Sequence, residues 1–249
     1  PQVSAQTSDD ELFAVLTGLL ATLNDGHVNL YAPNRPAFNS NVLRNQLVDN
    51  ELFDLNVVQR FYLKNNFETD ADTSFVYGLL PGKMLYLHLP FVSGNTTALG
   101  RALDRYPDAE GLILDLRFNP GGTLKAAVET VDLFIDEGVM VSTRGRNVEP
   151  WQKSASPKNT RFRDLPIIVL VNGFSASAAE IVSGALRDYH RAWLIGERSF
   201  GKGSVQNVLP IVGDTCKLKI TTAYYYLPSG KCIHRKPESK DWGVDPNLK

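Results

Sequence analysis

The sequence predicts an α/β fold with a small, mainly helical N-terminal cap, on three observations. From Phe75 onward, short apolar runs alternate with helical patterns. One such unit, Leu165 to Gln206, passes from an apolar strand through a tight turn into a helix and then on to further strands. Before Phe75 the patterns are mostly helical and separated by polar punctuation. Residues 1–74 therefore read as the cap and residues 75–249 as the core.

The elements follow in order. Ser8-Asp9-Asp10-Glu11 is a capping box, and Leu12, Leu16, Leu19, Leu20 and Leu23 form one apolar helix face closed by Asn24-Asp25-Gly26. His27 to Tyr31 alternates as a short strand. Helical patterns lie around Val42 to Leu47 and Val57 to Leu63. Phe75 to Leu80 and Met84 to Phe91 flank Pro81-Gly82 as a hairpin. Thr96 to Tyr106 is a helix, Gly111 to Arg117 a strand, Thr123 to Asp136 a helix and Val139 to Thr143 a strand. Trp151 to Arg163 is polar enough to read as a surface loop. After strand Ile167 to Val171 and its helix come strands Ala192 to Ile195 and Ser204 to Ile211. A hairpin of Cys216 to Tyr226 and Lys231 to His234 follows, about Pro228-Ser229-Gly230. Its register sets Cys232 near Tyr225 and far from Cys216, so both thiols are expected free.

Composition bounds the function. A formal net charge of −1 gives no basis for nucleic acid or an anionic membrane as partner. No run approaches the roughly 18 apolar residues of a membrane span. The chain opens at Pro1 with no signal segment, which suggests that something precedes it in the full protein.

The chemistry concentrates in Leu165 to Gln206. Ser177 sits where the strand turns into a helix, and a helix N-terminus favours negative charge. Lys202 lies between Gly201 and Gly203, which admit close backbone approach, with Phe200 and Val205 suggesting burial. A buried lysine has its pKa lowered, and the neutral amine accepts a proton, as a serine nucleophile requires where no histidine serves. Each half also has a plainer reading. Ser177-x-x-Glu180 is a capping box, and Lys202 suits a glycine turn. Gly196-x-x-x-x-Gly201-Lys202 is not a phosphate loop, because Gly203 and a strand follow where Ser or Thr and a helix are needed.

Together these segments resemble the C-terminal processing peptidases, or tail-specific proteases, whose nucleophile lies in S-A-S-A-x-E and whose lysine lies in T-F-G-K-G-x-x-Q. Ser175-Ala176-Ser177-Ala178-Ala179-Glu180 and Phe200-Gly201-Lys202-Gly203-Ser204-Val205-Gln206 match, with Ser199 in place of threonine and Ala179 in place of a second serine. The resemblance runs from about Gly82 to Asn247. It implies Ser177 as nucleophile, Lys202 as general base and Gln206 as the residue orienting the amine. It further implies a crotonase-like spiral of strand–helix units, a polypeptide substrate, no metal or cofactor, and a periplasmic, envelope or secreted location. Oligomeric state is left open. The stretch Pro33 to Leu80 is too short for the PDZ domain that many such peptidases carry, so a PDZ-less member is expected.

Asn119-Pro120-Gly121-Gly122 is an ordinary turn in its own right. Acyl transfer also needs two N–H groups aimed at an oxyanion. The family's N-P-G-G motif has that role, which implies Gly121 or Gly122 as one donor and Ala178 as the other. The close Gly243-Val244-Asp245-Pro246-Asn247 resembles the family's G-[IV]-x-P-D. His27 is a second candidate base, since related tricorn proteases use a histidine at a similar place; its plainer role is to hydrogen-bond its turn. Two further readings stand beside the peptidase. One is a non-catalytic binder of hydrophobic ligands, like the related interphotoreceptor retinoid-binding proteins. The other is an α/β-hydrolase using Ser175 with His190 or His234, which fails for want of a glycine where Ser177 stands.

Overall fold

The apolar runs Met84–His88, Gly111–Asp115 and Ile167–Val171 become the middle of a six-stranded sheet. In a computed structural model, which describes residues 3–40, 55–64, 66–70, 75–92, 96–212, 215–236 and 238–249, the chain divides into two units. One comprises Pro1–Val48, Arg146–Val148 and Ser204–Ala223; the other holds Asp49–Gly145, Glu149–Gly203 and Tyr224–Lys249.

The larger unit carries the six-stranded sheet. Strands β3 (Glu68–Thr69), β4 (Val76–Leu80), β5 (Met84–His88), β6 (Gly111–Asp115), β9 (Ile167–Val171) and β10 (Ala192–Gly196) lie in the order β10-β9-β6-β5-β4-β3. The four from β10 to β5 are parallel, and β4 and β3 are added antiparallel. Buried parallel strands explain why these runs are continuously apolar rather than alternating. Helices α3 (Thr96–Arg105), α4 (Leu124–Asp132) and α5 (Ala178–Asp188) supply the crossovers. Leu85, Leu87, Leu112, Leu114 and Val169 pack with Ala127 and Val131 of α4 and Ile181, Val182 and Leu186 of α5 in one core. A smaller cluster of Val58, Leu63, Val76 and Tyr86 involves a short helix, α2 (Leu55–Val57), that runs into a π-helical turn at Val58–Tyr62.

Strand β7 (Val139–Gly145) pairs with β8 (Val148–Ser154), where the sequence predicts a loop from Trp151. That expectation fails because residues 149–154 are all exposed: the strand is held by its backbone ladder and buries nothing that composition reveals. The expected second arm at Lys231–His234 reduces to one bridge, Tyr226 with Cys232, and both cysteines are free.

The smaller unit contains α1 (Asp9–Ala21), β1 (Asn29–Tyr31), β2 (Phe38–Asn39), β11 (Ser204–Val212) and most of β12 (Cys216–Tyr226). Here β1 pairs with β2 and β12, and β11 with β12. The capping box of α1 forms as expected, with Ser8 Oγ accepting from Glu11 N–H and Glu11 Oε2 accepting from Ser8 N–H. Its leucine face buries no residue; Leu19 is 63% exposed. The pattern at Val42 to Leu47 lies outside the described residues.

Candidate active site

At the end of β9 the turn is built by side chains that replace missing backbone partners. Asn172 Oδ1 accepts the N–H groups of Phe118 at 3.0 Å and Phe174 at 3.2 Å, joining two loops that carry candidate residues. Phe118 and Phe174 stack, with ring centroids 5.3 Å apart. Ser175 is fully buried; its hydroxyl donates to the Leu116 carbonyl at 2.8 Å and accepts the Asn172 N–H at 3.0 Å. A hydroxyl so occupied is a structural tie, which removes Ser175 as a nucleophile.

Ser177 is different. Its φ of 56° and ψ of −117° lie where a residue with a side chain is strained, and such strain persists only where surrounding structure fixes it. The residue is half-buried and makes no side-chain cap hydrogen bond; the Glu180 N–H donates to the Ser177 carbonyl oxygen at 2.9 Å. The Glu180 half of the expected capping box forms, its carboxylate accepting the Ser177 N–H.

What fixes this turn is the Asn119–Gly122 loop. Asn119 is fully buried: its Nδ2 donates to the Leu89 carbonyl at 2.7 Å, its Oδ1 accepts the Gly121 N–H at 2.8 Å, and its carbonyl accepts the Ala176 N–H at 2.9 Å. Gly121, at φ +106°, presses on the serine so closely that a Cβ there would lie 2.7 Å from Ser177 Cβ and 2.9 Å from the Ala178 nitrogen. At Gly122 a Cβ would sit 1.7 Å from the Val92 carbonyl oxygen. Since the Gly121 N–H is committed to Asn119, Gly122 is the glycine left with a donor. Among the described residues neither the Gly122 nor the Ala178 N–H has a protein acceptor. Ahead of this loop, buried Asp115 accepts from the Tyr86 hydroxyl at 2.7 Å and from Arg117 Nη2 at 2.6 Å, which fixes the end of β6.

Lys202 is half-buried between glycines used as the sequence predicts. A Cβ on Gly203 would lie 2.5 Å from the His234 nitrogen, and one on Gly201 would lie 2.7 Å from Trp242 Cδ1. The guanidinium groups of Arg198 and Arg235 lie over the Trp242 ring, 4.6 and 4.5 Å from its centroid.

One residue joins the two candidates, and it was not among them. Glu180, fully buried on the first turn of α5, accepts the Ser177 N–H at 2.8 Å and the Lys202 N–H at 2.7 Å on Oε2. Its Oε1 accepts the Gly201 N–H at 2.7 Å and the Ser199 hydroxyl at 2.6 Å. Two nitrogens bound to one oxygen can be no further apart than those two bonds laid end to end, so the backbones of Ser177 and Lys202 are neighbours. Burial pushes the Glu180 carboxyl up to about 7, against the four donors that favour its charge. The C-terminal close has a place here too: Val244 N–H donates to Ser199 Oγ at 2.7 Å, and Asn247 Oδ1 accepts the Leu194 N–H at 2.8 Å, so Asn247 is a docking residue.

Gln206 and His27 belong to the smaller unit. Gln206 Nε2 donates to Ser204 Oγ at 2.8 Å and Thr221 Oγ1 at 3.3 Å. Thr221 helps lower the Asp25 carboxyl, and Asp25 Oδ1 takes the His27 N–H at 2.9 Å and lies 3.2 Å from His27 Nδ1. Gln206 is thus tied to Thr221 and His27 to Asp25. The hydrogen bond with His27 holds the Asp25 carboxyl well below the usual range, against burial. Among the described residues no cluster of His, Cys, Asp and Glu could hold a metal ion, and no helix is long and apolar enough to cross a membrane.

Comparison with known proteins identifies the family of the chain. The model of peptidase family S41 matches residues 83–249. A carboxy-terminal-processing protease of Bartonella bacilliformis is 50% identical over 124 residues, covering 50% of this chain and 28% of the relative. A carboxyl-terminal-processing protease of Synechocystis is 38% identical over 159 residues, covering 62% of this chain and 36% of the relative. The matched segments thus span about a third of these relatives. Among solved structures, the photosystem II D1 C-terminal processing protease superposes with a TM-score of 0.60 at 33% identity, over 68% of this chain and 44% of that one. A Parabacteroides merdae protein described as a putative peptidase superposes with a TM-score of 0.72 at 20% identity, over 99% of this chain and 77% of that one, a likeness of fold alone.

Proposed function

This chain belongs to peptidase family S41, and on that premise we propose that it is a serine endopeptidase acting on extended or unfolded polypeptides. The observation that carries the reading is the strained Ser177 pressed by Gly121, with the unpaired N–H groups of Gly122 and Ala178 beside it. In this reading Ser177 Oγ attacks the scissile carbonyl while the Lys202 amine takes its proton. The N–H groups of Gly122 and Ala178 donate to the tetrahedral oxyanion. Collapse of that intermediate expels the amine, which receives the proton from Lys202. Water, deprotonated by the Lys202 amine, then attacks the acyl group, and Ser177 Oγ leaves with the proton that Lys202 returns to it. Gln206 is proposed to orient the lysine. We propose also that the strand–helix repeats of the larger unit form a crotonase-like spiral and that the protein works outside the cytoplasm.

The test is turnover of unfolded casein by the wild-type chain, Ser177→Ala and Lys202→Ala between pH 6 and 10. The reading requires cleavage that persists into alkaline conditions and falls by roughly a thousandfold or more in each variant, in the manner of a nucleophile and its base. Cleavage surviving in Lys202→Ala would remove the lysine as base.

A further inference from the structure

Glu180 stands in the sequence as a helix cap, but the structure gives it more partners than a cap needs. A capping box asks its carboxylate for one bond, to the N-cap N–H. Here that bond is one of four, and the other three come from Ser199, Gly201 and Lys202 on a different segment. A fully buried carboxylate is costly unless its lone pairs are filled, and these four donors fill them. Each oxygen takes two donors in different directions, so neither segment can shift without stretching a short charge-assisted bond. The Ser199 hydroxyl is oriented in turn by the Val244 N–H, which extends the chain of bonds to the C-terminal segment.

Resting on the peptidase reading, we propose that Glu180 is a positioning residue of the reaction: its carboxylate sets the distance between the nucleophile turn and the lysine turn. It touches neither substrate nor the reacting atoms. It acts by holding the Ser177 and Lys202 N–H groups on a single oxygen, so that side chains from two segments start from one fixed point. The strained φ of Ser177 has its restraint here as well, since the Ser177 N–H is the group Glu180 Oε2 holds.

The experiment compares wild type with Glu180→Gln, Ser199→Ala and Ser199→Thr. The readouts are the amide proton shifts of Ser177, Gly201 and Lys202, kcat and KM on casein, and the rate at which a fluorophosphonate labels Ser177. In Glu180→Gln the three amide protons should move upfield together. In that variant kcat and labelling should fall roughly 100-fold with KM within about threefold, as expected for misplacement of reacting groups by about an ångström. Ser199→Ala, which removes one donor of four, should show the same signature at about tenfold. Ser199→Thr keeps the hydroxyl and should restore wild-type values.

Unmoved amide shifts in Glu180→Gln would overturn the clamp, and moved shifts with unchanged kcat would overturn its catalytic role. If Glu180→Gln does not fold, Ser199→Ala decides by the same two outcomes. A wild type that neither cleaves casein nor labels would remove the peptidase reading, and with it the catalytic role. The amide shifts would still report on the clamp, so the two failures are distinguishable.

Discussion

Asp25 and Glu180 are both carboxylates at a turn, and their surroundings push them in opposite directions. Asp25, in the smaller unit, is partly solvent-accessible and bonded mainly to side chains, with His27 holding it low. Glu180, in the larger unit, is sealed from solvent and bonded mainly to backbone N–H groups, with burial holding it high. Side-chain partners tune a charge while leaving rotamers free to adjust; backbone partners fix where two segments of chain lie. The contrast teaches that the larger unit builds its site by over-determination and the smaller unit by adjustable polar contacts.

The largest effect should come from breaking the over-determined side with the smallest side chain. Gly121→Ala places a methyl at 2.7 Å from Ser177 Cβ and asks a non-glycine residue to hold a φ of +106°. The atoms it would meet, the Ala176 carbonyl oxygen, Ser177 Cβ and the Ala178 nitrogen, belong to the serine turn and not to the end of a flexible side chain. We expect a loss of roughly 100-fold in kcat on casein and of about 1–3 kcal/mol in stability, measured by urea unfolding. A variant within threefold of wild-type kcat would mean that the loop is adjustable after all, and the contrast between the units would dissolve.

The same contrast explains what the sequence could and could not reveal. The strand–turn–helix placement of Ser177 and the close-packed glycines around Lys202 were legible because those signals are local. The parallel strands were legible from continuous apolar runs. Glu180 was visible only as a cap, three residues from Ser177; its other donors come 19 to 22 residues later, and no local pattern announces them. β8 was missed because its pairing buries no side chain. The leucine face of α1 was read correctly as a pattern, but a pattern names a face without saying what covers it, and within this chain it buries no residue.

A smaller effect sharpens the comparison through pH. Glu180 titrates near 7 when folded and near 4.5 as an unperturbed glutamate, so between those values the native state binds the extra proton. Its contribution to stability is therefore fully present below about pH 4.5 and is lost as pH rises through 7. Asp25 has the opposite sign: lowered below 3.8 by His27, it contributes stability present above that value and lost as pH falls further. Urea unfolding of wild type and Glu180→Gln between pH 4.5 and 8 should differ in slope, with the wild type losing stability relative to the variant as pH rises. Parallel slopes would show that Glu180 does not carry the raised value.

Asp25→Asn should have the smallest effect, and it tests the choice of base. An asparagine still offers an oxygen to the His27 N–H, so the turn should survive at a cost of about 1 kcal/mol, the difference between a charged and a neutral acceptor. The acid-side loss of stability assigned to Asp25 should vanish with the charge. If Lys202 is the base, turnover should stay within about twofold of wild type, since His27 then serves only its turn. Were His27 the base, removing the charge that orients its ring would cost on the order of ten-thousandfold, as in Asp-His-Ser sites generally. One substitution thus separates the two candidates: a near-silent Asp25→Asn leaves the lysine in place, while a dead one transfers the proton to the histidine and makes the adjustable cluster, rather than the rigid one, the source of the chemistry.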